Sequence, residues 1–318
     1  MRALIQDRYG PAGVVRLGER PVPEPGEGEV LVRVRAASLN GSDRENLVGR
    51  PSYARMGGLR RPRHPVPGSD VAGVVVSLGS GVTGLAPGDE VFGELRGYRG
   101  ALAEQAVTRA GMLALKPAAL TFAQAAAIPQ AGCIALRATA GLRAGDRLLV
   151  NGAGGSGGAL VLALARHLGV HTIGVDRRDK AEHMLRVGAH ETIDCDAHDW
   201  ADDRDSYDRV VDLLGRRAPH RVQRALRRGG AYLVVGGRTR VLLATAVTGP
   251  LLGRVTGKRA GVLIVPQSRA LLEEVAGILT ADDVERAIER IYPFDEAPAA
   301  LGRLAAGDSR GKLVVEMS

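Results

Sequence analysis

Apolar and polar positions along the chain follow two different rhythms. Up to residue 120 the apolar residues come in short runs of strand length, over 2–6, 14–17, 29–36, 70–78 and 90–94. Turn residues break them up: Pro21 to Gly28, Gly68, Gly79 and the triplet Pro87-Gly88-Asp89. Runs of this length with turn signals at that spacing predict a β-rich, barrel-like unit. From Thr121, a predicted N-cap, the spacing turns helical over 122–127 and 134–140. Strands and helices then alternate. Strands are expected at 147–150, 172–175, 191–193, 210–214 and 231–235, with helices at 157–168, 179–187 and 220–226. That order predicts a doubly wound parallel sheet covered by helices. The tail, from about residue 282, reads as a helix, a second helix over 295–306 and a closing strand over 312–316. The division expected is a catalytic unit of 1–120 and 282–318 around an inserted unit of 121–281. The stretch 241–252 with 262–265 is apolar enough for either a buried strand or a subunit contact.

Length and composition narrow the class. A chain of 318 residues, 45% hydrophobic and 25% charged, has enough apolar material for two cores. No apolar run reaches the roughly 18 residues of a membrane span, and no targeting segment is recognised at the start, so a cytoplasmic location without a membrane partner is expected. The two cysteines, Cys133 and Cys195, are too far apart in sequence to suggest a zinc site. The net charge of +8 raises the question of nucleic acid. However, the basic residues are spread along the chain, and aromatic residues make up only 3%, so no nucleic-acid partner is expected.

The strongest chemical signal follows the strand at 147–150. Asn151-Gly152-Ala153-Gly154-Gly155-Ser156-Gly157-Gly158 leads directly into a helix, and Gly152, Gly154 and Gly157 satisfy GxGxxG. In that setting glycines serve the tight turn, the close approach of backbone to pyrophosphate and the packing of helix on strand. The helix N-terminus faces the phosphates. Asp176, at the end of the next strand, suits the hydroxyls of an adenosine ribose and favours NAD(H). Arg177 and Lys180 beside it suit the 2′-phosphate of NADP(H), so either dinucleotide remains open.

Further motifs accompany this one: Pro67-Gly68-Ser69-Asp70-Val71-Ala72-Gly73, Leu85-Ala86-Pro87-Gly88-Asp89-Glu90-Val91-Phe92-Gly93, Gly188-Ala189 and Arg310-Gly311-Lys312-Leu313-Val314-Val315. Together, in this order over essentially the whole chain, they resemble the zinc-independent, quinone oxidoreductase-like branch of the medium-chain dehydrogenase/reductase superfamily. The resemblance implies an α/β protein in which a GroES-like β-rich catalytic domain holds an inserted Rossmann domain, with the active site in the cleft between them. Zinc-dependent relatives carry a cysteine within the stretch that reads here Leu39-Asn40-Gly41-Ser42-Asp43, and a His-Glu pair where this chain has Ser69-Asp70. The resemblance therefore implies no metal.

Hydride transfer without a Lewis acid suits substrates that are already electrophilic, namely quinones and α,β-unsaturated carbonyls. By resemblance, Asn40 is the first candidate donor to the substrate oxygen, Asp43 its orienting neighbour and Tyr53 a substitute proton donor, within a loop-like segment 40–63. Gly236 and Gly237 stand where relatives let the nicotinamide approach the backbone. Lys312 is expected to be structural, and a homodimer paired at the sheet edge is expected. Alternatives are a tailoring reductase of a biosynthetic pathway, or a cofactor-binding protein with little activity.

Overall fold

The computed structural model describes residues 1–317 other than Arg96 and Tyr98. It contains two compact units, one made of Met1–Cys133 with Gln267–Ser318 and the other of Ile134–Pro266. The first opens with β1 (Arg2–Gln6), β2 (Val15–Glu19), β3 (Glu29–Leu39), α1 (Gly41–Val48), β4 (Asp70–Leu78), β5 (Glu90–Glu94), β6 (Gln105–Arg109), β7 (Leu113–Leu115) and α2 (Phe122–Ala127). Next comes α3 (Pro129–Thr139). The second unit carries β8 (Arg147–Asn151), α4 (Ser156–His167), β9 (His171–Asp176), α5 (Ala181–Val187), β10 (Glu191–Asp194), β11 (Tyr207–Asp212), α6 (Pro219–Ala225), β12 (Leu226–Val234), α7 (Thr239–Thr256) and β13 (Arg259–Val262). The chain then returns through α8 (Arg269–Ile278), α9 (Ala281–Ala287), β14 (Ile288–Pro293), α10 (Ala297–Ala306) and β15 (Lys312–Glu316).

In the first unit the long strand β3 is the hub. It pairs with β4 along most of its length, with β6 through its first half and with β15 through its last residues, Leu39 opposite Leu313. Leu4, Val30 and Val71 from the start of the chain share one core with Phe294, Leu301 and Leu313 from its end. Both termini are therefore needed to close it. The unit extends further into the sequence than the expected limits of 120 and 282. Thr121 caps α2 as predicted, its Oγ1 accepting from Gln124 N at 3.1 Å, and the buried alanines of α2 pack it onto β3 and β4. Similarly, α8 packs on β7, so 121–133 and 267–281 belong here rather than to the inserted unit. The segment 40–63 is not all loop either. It holds α1 and a 3-10 turn at Ser52–Arg55, whose few buried residues left no apolar period to read.

The second unit is a parallel sheet in the order β10-β9-β8-β11-β12-β13. The order in which successive strands are added reverses between β8 and β11, the place where doubly wound sheets bind ligands at their carboxyl ends. The apolar stretch at 241–252 is not a strand and belongs to the core only in part. It forms most of α7, which buries Val241 and Thr245 but exposes Leu243, Val247, Leu251 and Val255.

Candidate functional site

Two groups of residues carry the candidate chemistry, one in each unit. In the second unit β8 ends at Asn151 and the glycine turn passes into α4, with Gly155 as the N-cap and no acidic residue in the first turn. The first backbone N–H groups of a helix have no intrahelical partner, so this end is open to an anion. A Cβ on Gly155 would find only Gly152 O, at 3.5 Å, so the loop presents bare backbone there. The helix–strand packing role expected of Gly157 falls instead to Gly158. A Cβ on Gly158 would collide with Ala153 Cα and Gly152 O, whereas one on Gly157 would meet only Leu213, at 3.6 Å. The loop thus fits a dinucleotide pyrophosphate.

Asp176, at the end of β9, faces this loop. Its Oδ2 accepts from Gly154 N at 3.1 Å, its Oδ1 accepts from Arg177 N at 2.9 Å, and Lys180 Nζ lies 3.5 Å from Oδ1. Lys180 is almost wholly buried against Gly154, so it compensates Asp176 rather than reaching outward. The Arg177 guanidinium turns to Asp179 at 3.2 Å. Asp176, Arg177, Arg178, Met184, Thr192 and Asp194 line a shallow cavity.

Sequence reasoning missed what holds the loop in place. Asp212, fully buried at the end of β11, accepts from Asn151 Nδ2 at 2.7 Å, from Tyr232 Oη at 2.9 Å and from the N–H groups of Leu214 and Gly215 at 3.0 Å. Burial, and then the Asp212 charge, push the Tyr232 phenol far above its ordinary range, so it stays a neutral donor. An acid directly after the apolar pair Val210-Val211, at the end of β11, was the available signal. Gly236 and Gly237 follow β12. Gly237 has φ +113° and packs backbone to backbone on Leu214 and Gly215, which accounts for a glycine at that position.

In the first unit the end of β3 and the starts of β4 and β15 come together, since Ser38 pairs with Asp70 and Leu39 with Leu313. They gather Asn40, Asp43, Ser69, Asp70 and Lys312, each 3% exposed or less. Lys312 Nζ donates to Asn40 Oδ1 at 2.8 Å and lies 3.6 Å from Asp70 Oδ2. Asn40 Nδ2 donates to Ser69 Oγ at 3.1 Å, and Asn40 N donates to Asp43 Oδ2 at 2.7 Å. Asp43 Oδ1 is buried with no hydrogen-bond partner among the described residues. Gln130 links the cluster to Glu94, donating from N to Asp70 at 3.2 Å and from Nε2 to Glu94 at 3.1 Å.

Such crowding moves every titration. Burial, and then the Asp70 charge, raise Asp43 to about 7 against the pull of the Asn40 N–H. Burial and Asp70 likewise raise Glu94 to about 8. Burial pushes Asp70 up and Lys312 down, and each one's charge partly restores the other. The donor set does not fit zinc. It offers an amide, a hydroxyl and carboxylates around a resident ammonium, with no thiolate or imidazole. Among the described residues the His/Cys/Asp/Glu group close enough to share an ion is Asp194–Cys195–Asp196, on the second unit, with Cys195 and Asp196 exposed. Tyr53 lies in the 3-10 turn, apart from the buried cluster's hydrogen bonds, and donates to Glu45 Oε1 at 2.8 Å.

Comparisons with known proteins fit both halves of this architecture. Residues 26–138 match the alcohol dehydrogenase GroES-like domain, and residues 187–315 match a family described as zinc-binding dehydrogenase. A 2-methylene-furan-3-one reductase of Solanum lycopersicum is 32% identical, over 99% of this chain and 79% of its own length. An NADPH-dependent alkenal/one oxidoreductase of Arabidopsis thaliana, chloroplastic, shows the same identity and coverage. The solved quinone oxidoreductase of Coxiella burnetii superposes with a TM-score of 0.85 at 28% identity, covering 100% of this chain and 99% of that one.

Proposed function

Because the chain belongs to the medium-chain dehydrogenase/reductase superfamily, in its quinone oxidoreductase-like branch, we propose that it is an NAD(P)H-dependent reductase of α,β-unsaturated carbonyls or quinones that works without zinc. The observation that carries this reading is the buried Lys312 ammonium. It is bonded to Asn40 and paired with Asp70 at the positions where zinc-dependent relatives keep their ligands. Relatives that reduce furanones and alkenals support the substrate class. When bound, the dinucleotide would supply the hydride for the β-carbon of an enone, and water the proton for its α-carbon as the electron pair passes through the carbonyl oxygen.

The chain's own residues hold and orient. The first turn of α4 would take the pyrophosphate, framed by the turn Gly152-Ala153-Gly154-Gly155-Ser156, whose N–H groups from Gly152 to Gly155 are engaged within the protein. Asp176 would accept from the ribose hydroxyls, while Lys180, 3.5 Å away, offsets its charge and would leave NADPH acceptable as well. Asn40 has one amide oxygen fixed by Lys312 and one Nδ2 hydrogen spent on Ser69. Its Nδ2 also faces the Asp70 carboxylate, and turning the second hydrogen from Asp70 to the developing enolate oxygen is the donor role proposed for it. Asp43 positions Asn40 through its backbone N–H. Tyr53, engaged by Glu45, is not needed as an acid if water supplies the proton. Oxidation of NADPH and NADH with 1,4-benzoquinone and a simple enone tests the proposal. Turnover supports it, whereas tight cofactor binding without turnover favours a cofactor-binding protein.

A homodimer is part of the same proposal. Leu243, Val247, Leu251 and Val255 form an exposed stripe on α7 at intervals of four residues, beside β13 at the open edge of the sheet. Light scattering should give twice the chain mass, and Val247→Asp should halve it. Neither Cys133 nor Cys195 is in a disulfide, which suits the reducing cytoplasm proposed as its location.

A further inference from the structure

The first unit also exposes a basic loop with apolar side chains at its tip. Residues 46–69 contain five arginines, Arg50, Arg55, Arg60, Arg61 and Arg63, and no acidic residue. Arg63 N donates to Gly57 O at 2.8 Å and closes a small loop with Leu59, Arg60 and Arg61 at its tip. The base is pinned. Gly58 O accepts from Tyr9 Oη at 2.6 Å, and the Arg55 guanidinium stacks 5.0 Å over the Tyr9 ring while its Nε donates to Gly49 O at 2.9 Å. Arg55 is thus structural. Arg50, Arg60, Arg61 and Arg63 are exposed, and among the described residues none of them pairs with a carboxylate. Between them stand the two large apolar side chains Met56 and Leu59, 88% and 77% exposed.

We propose that this loop docks the protein on an anionic phospholipid surface, Met56 and Leu59 entering the apolar boundary and Arg60, Arg61 and Arg63 binding lipid phosphates. A soluble anion would use the cations but gain nothing from two bare apolar tips, whereas a bilayer rewards both. Arginine's fork suits phosphate oxygens. The inference departs from the expectation that the chain has no membrane partner. It does not depend on the reductase reading.

The test is flotation of the full-length protein with vesicles of phosphatidylcholine alone or with about one third phosphatidylglycerol, at physiological salt. Wild type should rise with the anionic vesicles and stay below with the neutral ones. Arg60→Gln/Arg61→Gln should weaken binding roughly thirtyfold, following about 1 kcal/mol for each arginine. Met56→Ser/Leu59→Ser should weaken vesicle binding several-fold while leaving retention on a soluble polyanion, heparin, unchanged. Equal binding to neutral vesicles, or no vesicle binding, overturns the proposal. So does vesicle binding indifferent to the Met56/Leu59 pair, which would assign the cations to a soluble polyanion. Thermal unfolding of each variant, expected to be unchanged, separates these outcomes from misfolding.

Discussion

Lys312 Nζ donates to Asn40 Oδ1 at 2.8 Å across 272 positions of sequence. It ties the start of the closing strand to the start of α1, with Lys312 fully buried and Asn40 only 3% exposed. A buried ammonium is tolerated there because Asp70 compensates it.

Lys312→Met should therefore destabilise the protein by about 3–5 kcal/mol, the range for removing one partner of a buried charge pair. Lys312→Met/Asp70→Asn should recover part of that loss. Urea denaturation of the two single variants and the double variant gives the coupling, and simple additivity would show that the pair does not act as a unit.

Stability should fall as pH rises through neutrality. Asp43 binds its proton more tightly folded (about 7) than unfolded (3.8), so its contribution is complete below 3.8 and lost as pH passes 7. Glu94, raised from 4.5 to about 8, acts in the same direction. Asp43→Asn should flatten the decline while keeping an acceptor for Asn40 N. Unfolding midpoints at pH 5 and pH 8 check this, and an equally steep decline in the variant would place the titration elsewhere.

The glycine turn makes separable predictions. Gly158→Ala should cost about 1–3 kcal/mol of stability, because a Cβ there strikes backbone. Gly155→Ala should leave stability nearly unchanged but raise the cofactor Kd by roughly tenfold, about 1.4 kcal/mol. Gly157→Ala should be the mildest for stability. Thermal melts with and without NADPH distinguish the three.

Cofactor preference should follow the Asp176–Lys180 pair. Asp176→Ser should shift the kcat/KM ratio toward NADPH by roughly tenfold, and Lys180→Met, which leaves Asp176 uncompensated, should shift it toward NADH. Unchanged ratios in both variants would remove the pair from the choice.

Much of this was legible in the sequence because it is local. The strand–glycine turn–helix at 147–168 and the closing strand at 312–316 carry their signals within a few residues. The amphipathic character of α7 was hidden by its exposed apolar stripe, which reads as core. The buried cluster was harder. Asn40, Ser69, Asp70 and Lys312 meet only through strand register, and sequence spacing does not reveal it. Asp212 was missed for the same reason, since its partners come from two other strands and a loop.

Transfer of label from nicotinamide to substrate tests the central claim most directly. With 4-deuterated NADPH, a simple enone and enzyme dialysed against a chelator, deuterium should appear at the β-carbon of the saturated product, at the rate of untreated enzyme. An unlabelled product, or activity lost to the chelator and restored by zinc, would contradict the account.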